Sequence, residues 1–198
     1  MFHDLSPAML TRMAELEAID AADRTDGTPH GRRLRQIPPD TGRYLAILAA
    51  SAPAGQVVEV GTSAGYSALW LSLACRQRGD RLLSIDRDPD KLDLARQTIE
   101  LTGTTDVVRL VAGDALEVLA GLDEVAFAFV DANRDVLEAC VTLLADRLVP
   151  GGLVTVDNVI SHAAEIPGVV DRLLADPRLD AVVAPIGSGV LTARRAGR

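Results

Sequence analysis

Aromatic side chains are nearly missing: three phenylalanines, two tyrosines and one tryptophan in 198 residues. Hydrophobic residues still make up 48% of the chain, so the core is expected to be aliphatic, and a flat ring would find few side chains to stack on. Cysteine is equally scarce. Cys75 and Cys140 both fall in apolar, helix-like segments, where a buried free thiol is the ordinary state, so neither a disulfide framework nor a zinc site is expected. Basic residues are outnumbered, 20 against 28 acidic ones, for a net charge of -8. Nucleic-acid binding normally needs a basic face, so no nucleic-acid partner is expected; the cluster Arg32, Arg33 and Arg35 reads as solvated surface. No stretch approaches the roughly 20 apolar residues of a membrane span, and Met1 to Leu10 carries no apolar leader core. The expectations are no membrane association and a cytoplasmic location. There is no internal repeat and no low-complexity tract, and a chain of this length suits one well-buried domain.

What the chain does contain, from residue 56 onward, is an alternation of short β-branched runs with longer helical patterns, the signature of βαβ units on a parallel sheet. The strand candidates are Gln56 to Val60, Arg81 to Asp86, Val107 to Ala112, Ala126 to Asp131 and Gly152 to Asp157. Helical stretches between them run roughly from Gly65 to Cys75, Pro89 to Leu101, Ala115 to Ala120 and Arg134 to Asp146. Pro89 reads as a helix start, and Pro150-Gly151-Gly152 as a stop before the fifth strand. After Asp157 a loop with Pro167-Gly168 leads to a helix over Val169 to Ala175. Two β-like runs, Asp180 to Ala184 and Val190 to Ala193, then meet across a short glycine-containing connection, so the last strand is expected to enter the sheet antiparallel. Residues 1–50 are mostly helical in pattern, best over Leu5 to Ala18 and Thr41 to Ala50, with a polar connection from Ala22 to Pro39. The domain reading is one unit over 1–198: a helical extension, 1–50, on an α/β core, 51–198.

Glu59-Val60-Gly61-Thr62-Ser63-Ala64-Gly65-Tyr66 reads as strand, glycine-rich turn and helix start, the usual nucleotide-binding corner of an α/β sheet. Gly61 and Gly65 would let backbone approach a ligand. Ser63 stands where a dinucleotide fingerprint needs its second glycine, and no Gly-Lys-Ser/Thr follows, so neither a pyrophosphate turn nor a P-loop is indicated. The acidic-ended strand and turn resemble motif I of class I S-adenosylmethionine-dependent methyltransferases.

Ligands of open α/β sheets bind outside the carboxyl ends of the strands. Glu59, Asp86, Asp131 and Asp157 end four strands, and Gly113-Asp114 follows the other. Together they favour a site, against the plainer reading that such residues cap the following helices. Asp86 is placed to accept from a ribose diol, as it would be in a nicotinamide enzyme too. Gly113-Asp114-Ala115 would border an adenine. Ser67 and the amides near Tyr66 would hold a methionine carboxylate at a helix start; Trp70, one turn on, reads as core. Asp131, Asp157 and Asn158 supply three hard oxygens, suited to Mg²⁺, Ca²⁺ or Mn²⁺ rather than zinc or copper. The alternative is a hydrogen-bonded cluster that holds no ion.

E-V-G-T-S-A-G-Y-S-A-L-W, S-I-D-R-D-P, G-D-A-L-E, F-V-D-A-N-R and V-D-N-V-I occur in the order and at the spacing of the cation-dependent O-methyltransferases, which include catechol and caffeoyl-CoA O-methyltransferases. The likeness runs from about Ile37 to Arg195. It implies a Rossmann-like class I methyltransferase fold, with a seven-stranded, mostly parallel sheet and an antiparallel last strand. It implies S-adenosylmethionine contacts from Glu59, Gly61, Ser63, Gly65, Tyr66, Ser67, Asp86, Arg87, Asp114, Ala115 and Asp131. A divalent cation, Mg²⁺ first, would sit on Asp131, Asp157 and Asn158, and Asp131 and Arg134 would be the catalytic pair.

The sequence departs from that pattern where the family usually carries a lysine base, three residues after Asp131. Arg134 stays protonated and is a poor base; it either stabilises the oxyanion or lies on the surface at a helix start. His162 either borders the acceptor or takes the base's place, or else points into solvent. The resemblance implies methyl transfer to a hydroxyl of a small, catechol-like acceptor, and a homodimer formed through the N-terminal helices. The rival reading is a non-catalytic S-adenosylmethionine-binding sensor or partner-binding protein, favoured by Arg134. A nicotinamide-dependent oxidoreductase comes third.

Overall fold

The computed structural model describes residues 2–197. Two helices, α1 (Pro7–Asp23) and α2 (Pro39–Ser51), precede the sheet. Then follow β1 (Gln56–Val60), α3 (Tyr66–Arg78), β2 (Leu82–Asp86), α4 (Pro89–Thr102), β3 (Val108–Ala112), α5 (Ala115–Ala120), β4 (Val125–Val130), α6 (Arg134–Arg147) and β5 (Leu148–Val156). The chain closes with α7 (Val169–Leu174), β6 (Leu179–Ala184) and β7 (Val190–Arg195). Strand order is β3-β2-β1-β4-β5-β7-β6. β1 to β5 pair in parallel, and β7 lies antiparallel between β5 and β6. The antiparallel finish expected from the glycine-containing connection is present, and the order reverses between β1 and β4. That reversal is the switch point at which open α/β sheets bind ligands.

Local chemistry explains the boundaries. Ser6 caps α1 by accepting from Met9 N at 3.2 Å, with Pro7 in the first turn. Asp88 caps α4 by accepting from Asp90 N and Lys91 N, with Pro89 behind it. These are the acceptor-then-proline starts that satisfy orphan amides. β4, Val-Ala-Phe-Ala-Phe-Val, is buried along its whole length, as expected of a strand covered by helices on both faces. One apolar cluster joins Met9, Met13 and Leu16 of α1 and Leu45 of α2 to Leu69 and Trp70 of α3 and to Phe127 and Phe129 of β4. The first two helices thus share a core with the sheet. Arg78 ties them down further, donating to the carbonyl of Ala49 in the last turn of α2 and to those of Ala52, Pro53 and Gly55 beyond it. No helix among the described residues is long and apolar enough to cross a membrane.

The largest boundary differences from the sequence reading are at β5 and α1. β5 begins at Leu148, and Pro150-Gly151-Gly152, read as a stop, lies inside it. Leu148 pairs with Val125 and Leu153 with Phe127, so five steps on β5 span two on β4 and the excess bulges outward. Gly152 is what the bulge needs: a Cβ there would come within 2.9 Å of Val149 O and 3.0 Å of Val125 O. The second difference is α1, which runs to Asp23, beyond the Ala18 where its apolar pattern fades.

Candidate active site

The carboxyl ends of β1, β2, β3, β4 and β5 open into a cavity of about 500 Å³, within the size range of small-molecule sites. Gly61, Ser63, Asp86, Arg87, Asp114 and Ala115 line one side. Asp131, Arg134, Asp157, Asn158 and His162 line the other. Glu59, Gly65, Tyr66 and Ser67, also expected to touch a ligand, sit behind the wall.

The loop after β1 turns through three left-handed residues, Gly61 (φ 97), Ser63 (φ 47) and Gly65 (φ 84). Gly61 is squeezed against the end of β4, where a Cβ would overlap the Asp131 carbonyl oxygen. Gly61 N donates to Ile85 O and Asp131 N to Val60 O, both at 2.9 Å, so β2, β1 and β4 are laced together where the cavity begins. Gly65 faces Ala95 and Thr98 of α4 instead. Tyr66 is 1% exposed, and its hydroxyl donates to Glu17 Oε1 at 2.5 Å, so it anchors α1.

Glu59 is fully buried. Ser84, its register partner on β2, donates to Oε2 at 2.5 Å. Thr62 Oγ1 lies 2.6 Å from Ser84 Oγ; since the Ser84 proton is already given, Thr62 donates. Glu59 Oε1 has no hydrogen-bond partner. Burial pushes the carboxyl up to about 7, against the pull of the Ser67 and Ser84 hydroxyls. A group whose native pKa lies above its unfolded value stabilises the fold at low pH and loses that contribution as pH rises through the native value. Stability contributed by Glu59 should therefore fall between about pH 4.5 and 7, by on the order of 3 kcal/mol. Glu59→Gln should flatten that part of the profile, which urea midpoints at pH 5 and pH 8 would show; an unchanged slope would contradict the assignment.

Asp86 and Asp114 divide the two roles open to strand-end carboxylates. Asp114 caps α5, its Oδ1 accepting from Leu116 N at 2.9 Å and Glu117 N at 3.3 Å. Asp86 accepts from Ser63 N at 2.9 Å through Oδ2 and from Asp88 N at 3.0 Å through Oδ1. A carboxylate has about four acceptor sites, so each retains capacity toward the cavity.

The far wall carries the carboxylate pair. Asn158, at φ 65, points Nδ2 at Asp131 Oδ1 and Asp157 Oδ2, 3.2 Å from each. Asp157 is 4% exposed, and its Oδ1 is buried without a partner. Burial pushes Asp157 up to about 7, with the neighbouring charge of Asp131 adding to the rise. Asp131 is likewise raised by burial, while Arg35, Arg134, Asn158 and His162 oppose it. Among the described residues no group of three His, Cys, Asp or Glu side chains is arranged to hold a metal, and the side chain that touches both carboxylates is the Asn158 carboxamide. A half-turn of the Asn158 amide exchanges its nitrogen for its oxygen. Two crowded carboxylates, an orphaned oxygen and an invertible amide fit a hard divalent cation.

Arg134 opens α6 but is not free. Its Nε lies 3.1 Å from Glu165 Oε2, and His162 Nε2 lies 3.8 Å from Glu165 Oε1. His162 Nδ1 pairs with Ser161 Oγ at 2.7 Å. Glu165 was not foreseen, having no motif around it. Nor was the segment Arg33 to Gln36, which crosses the cavity and lines it. Its signal was the arginine cluster, read above as solvated surface.

The sheet order, the glycine-rich turn after β1 and acidic strand ends around one cavity define a Rossmann-like class I methyltransferase. Residues 23–196 match the model of the O-methyltransferase family. A protein of Mycobacterium sp. (strain JLS) assigned as an O-methyltransferase is 34% identical over 174 residues, 80% of this chain and 79% of that one. The catechol O-methyltransferase of Niastella koreensis is 31% identical over 129 residues, 63% of this chain and 58% of that one. The O-methyltransferase TomG from Streptomyces achromogenes, involved in tomaymycin synthesis and solved in complex with SAM, superposes with a TM-score of 0.73 at 25% identity, covering 92% of this chain and 89% of that one. The chain belongs to the O-methyltransferase family.

Proposed function

We propose that the chain transfers a methyl group from S-adenosylmethionine to one hydroxyl of a small vicinal diol, assisted by a divalent cation. The observation that carries this reading is the Asp131, Asp157 and Asn158 set, with its buried, unpartnered oxygen on the cavity wall. Asp86 would accept from the ribose diol and Asp114 from the adenine edge, through acceptor capacity their backbone partners leave open. Asp131, Asp157 and Asn158 would hold the cation, Mg²⁺ first, which when bound lowers the pKa of a diol hydroxyl and fixes it near the methyl carbon. Arg134, oriented by Glu165, would face the oxyanion rather than take the proton of the hydroxyl. His162, on the same wall, is placed to receive that proton. The Niastella koreensis relative, by its name a catechol enzyme, supports the diol. A cytoplasmic homodimer remains part of the reading, with the exposed Leu10, Ile19 and Ile47 of α1 and α2 as contact candidates.

The test is methyl transfer from labelled S-adenosylmethionine to a panel of vicinal diols, with Mg²⁺ and with EDTA, beside a direct cofactor-binding assay. Turnover that disappears with EDTA is expected. Cofactor binding without turnover on any diol would instead support a non-catalytic binding protein, and absence of cofactor binding would remove both readings.

A further inference from the structure

The segment between α1 and α2 holds a strained arginine. Leu34 and Ile37 on it are buried, 6% and 5% exposed, and side chains from three elements pin the backbone around them. Asp23 Oδ2 accepts from Leu34 N at 2.9 Å. Lys91 Nζ donates to Arg32 O and Arg33 O at 2.9 and 2.8 Å. Ser63 Oγ donates to Leu34 O at 3.1 Å. Within this fixed stretch Arg35 takes φ 53, a left-handed conformation that costs any residue with a Cβ and that glycine adopts freely. Such strain persists only where the surroundings enforce it, and it concentrates at working sites.

The Arg35 side chain is exposed and lines the cavity together with Asp131 and Arg134. Other cavity-wall guanidiniums are engaged: Arg24 with Asp20 at 2.8 Å, Arg33 with Thr28 O at 2.9 Å, Arg134 with Glu165 at 3.1 Å. Among the described residues Arg35 has no such partner, and neither does Arg87, which follows Asp86 at the end of β2, two strands from Asp131.

We propose that Arg35 is the acceptor-recognising residue of this site and pairs with a carboxylate on the diol, so that the substrate class is anionic vicinal diols. This rests on the diol-methylating reading above. A dication held by Asp131 and Asp157 would neutralise the negative charge of the cavity wall that Arg35 also lines, and Arg134 is retained by Glu165. Arg35 is then the unengaged positive group beside the incoming ring. In a protein of net charge -8, an anionic acceptor needs a local cation of this kind to approach and to orient. The same carboxylate chemistry is present in the methionine end of the cofactor, and the experiment separates the two sources.

The probes are 3,4-dihydroxybenzoate and its neutral amide, 3,4-dihydroxybenzamide, assayed on the wild type, Arg35→Gly and Arg35→Lys. Calorimetry measures cofactor affinity, and benzoate binding to protein loaded with Mg²⁺ and S-adenosylhomocysteine. Arg35→Gly removes the guanidinium and relieves the backbone, so its thermal midpoint should equal or exceed that of the wild type. The wild type should prefer the benzoate. Arg35→Gly should raise its KM and its calorimetric Kd about 10- to 100-fold, the worth of one charged hydrogen bond. kcat, the KM of the amide and cofactor affinity should stay unchanged, and Arg35→Lys should recover part of the loss. Equal losses on both diols overturn the proposal. So does weakened cofactor binding with unchanged discrimination, which would give Arg35 to the cofactor's own carboxylate. A wild type that methylates both diols without preference overturns this inference and leaves the function standing, whereas one that methylates neither removes the diol reading and the inference with it.

Discussion

Asp157→Asn is expected to cut diol methylation by about 10³-fold while making the metal-free protein more stable at pH 8. The loss follows from the several kcal/mol that a bound cation contributes to charge stabilisation in the transition state, since the substitution removes the more buried of the two charges that would hold it. The gain follows from the same burial. Asp157 is raised from 3.8 to about 7, so its contribution to stability is present below about pH 4 and lost as pH rises toward 7. At pH 8 the metal-free wild type carries an unfavourably buried anion beside Asp131, and an amide removes it. The expected gain in EDTA is on the order of 2–4 kcal/mol, seen as a higher urea midpoint at pH 8 and little change at pH 4. Mg²⁺ should raise the melting temperature of the wild type, as any ligand of the native state does, and should leave that of the variant alone. A variant less stable at pH 8, or one that keeps the Mg²⁺ shift, would remove Asp157 from the cation site.

The second large effect is expected at a residue without a side chain. Gly61→Ala should destabilise the protein by about 3 kcal/mol or more, combining left-handed strain with a backbone overlap. In a chain of this size that is a fall in melting temperature of roughly 6–12 °C. The overlap is with the carbonyl of Asp131, so the end of β4 must move for the methyl to fit, and activity should fall further than stability alone explains. Gly27→Ala is the control: it is also left-handed, at φ 91, with nothing within 4 Å of the added Cβ. It should cost about 1 kcal/mol and leave turnover intact. Similar losses at the two positions would mean that crowding against β4 is unimportant.

The fold was legible because each element announces itself locally. Pro89 behind Asp88, β-branched runs such as Gln56 to Val60, and the glycines between β6 and β7 carry their own boundary chemistry, and the resemblance supplied a seven-stranded, mostly parallel sheet with an antiparallel last strand. The start of β5 was not legible. Pro150-Gly151-Gly152 breaks a strand by its own preferences, and only β4 alongside it converts the break into a bulge. In the site, Asp131, Asp157 and Asn158 were readable from position at adjacent strand ends. The buried Glu59 and the capping role of Asp114 were not, because both depend on which way a carboxylate turns once Ser84 or α5 is beside it. The segment around Arg35 was least readable: its place is set by Asp23, Ser63 and Lys91, which are scattered along the chain and share no periodicity with it.

β7 runs against its neighbours, which has a consequence for when this protein becomes competent. Reversal brings the start of β7, and the loop before it, to the same edge as Asp157. There Gly189 O accepts from Val159 N, and Ser188 O from Ile160 N and Ser161 N, clamping the backbone that leaves Asn158. These carbonyls belong to chain synthesised after β1 to β5. β1 to β5 can pair on a growing polypeptide, but the turn carrying Asn158 is secured only after Ser188 and Gly189 have left the ribosome. This edge of the cavity is therefore secured only after the parallel strands have been made, and a product cut short before β7 would hold much of the sheet without this clamp.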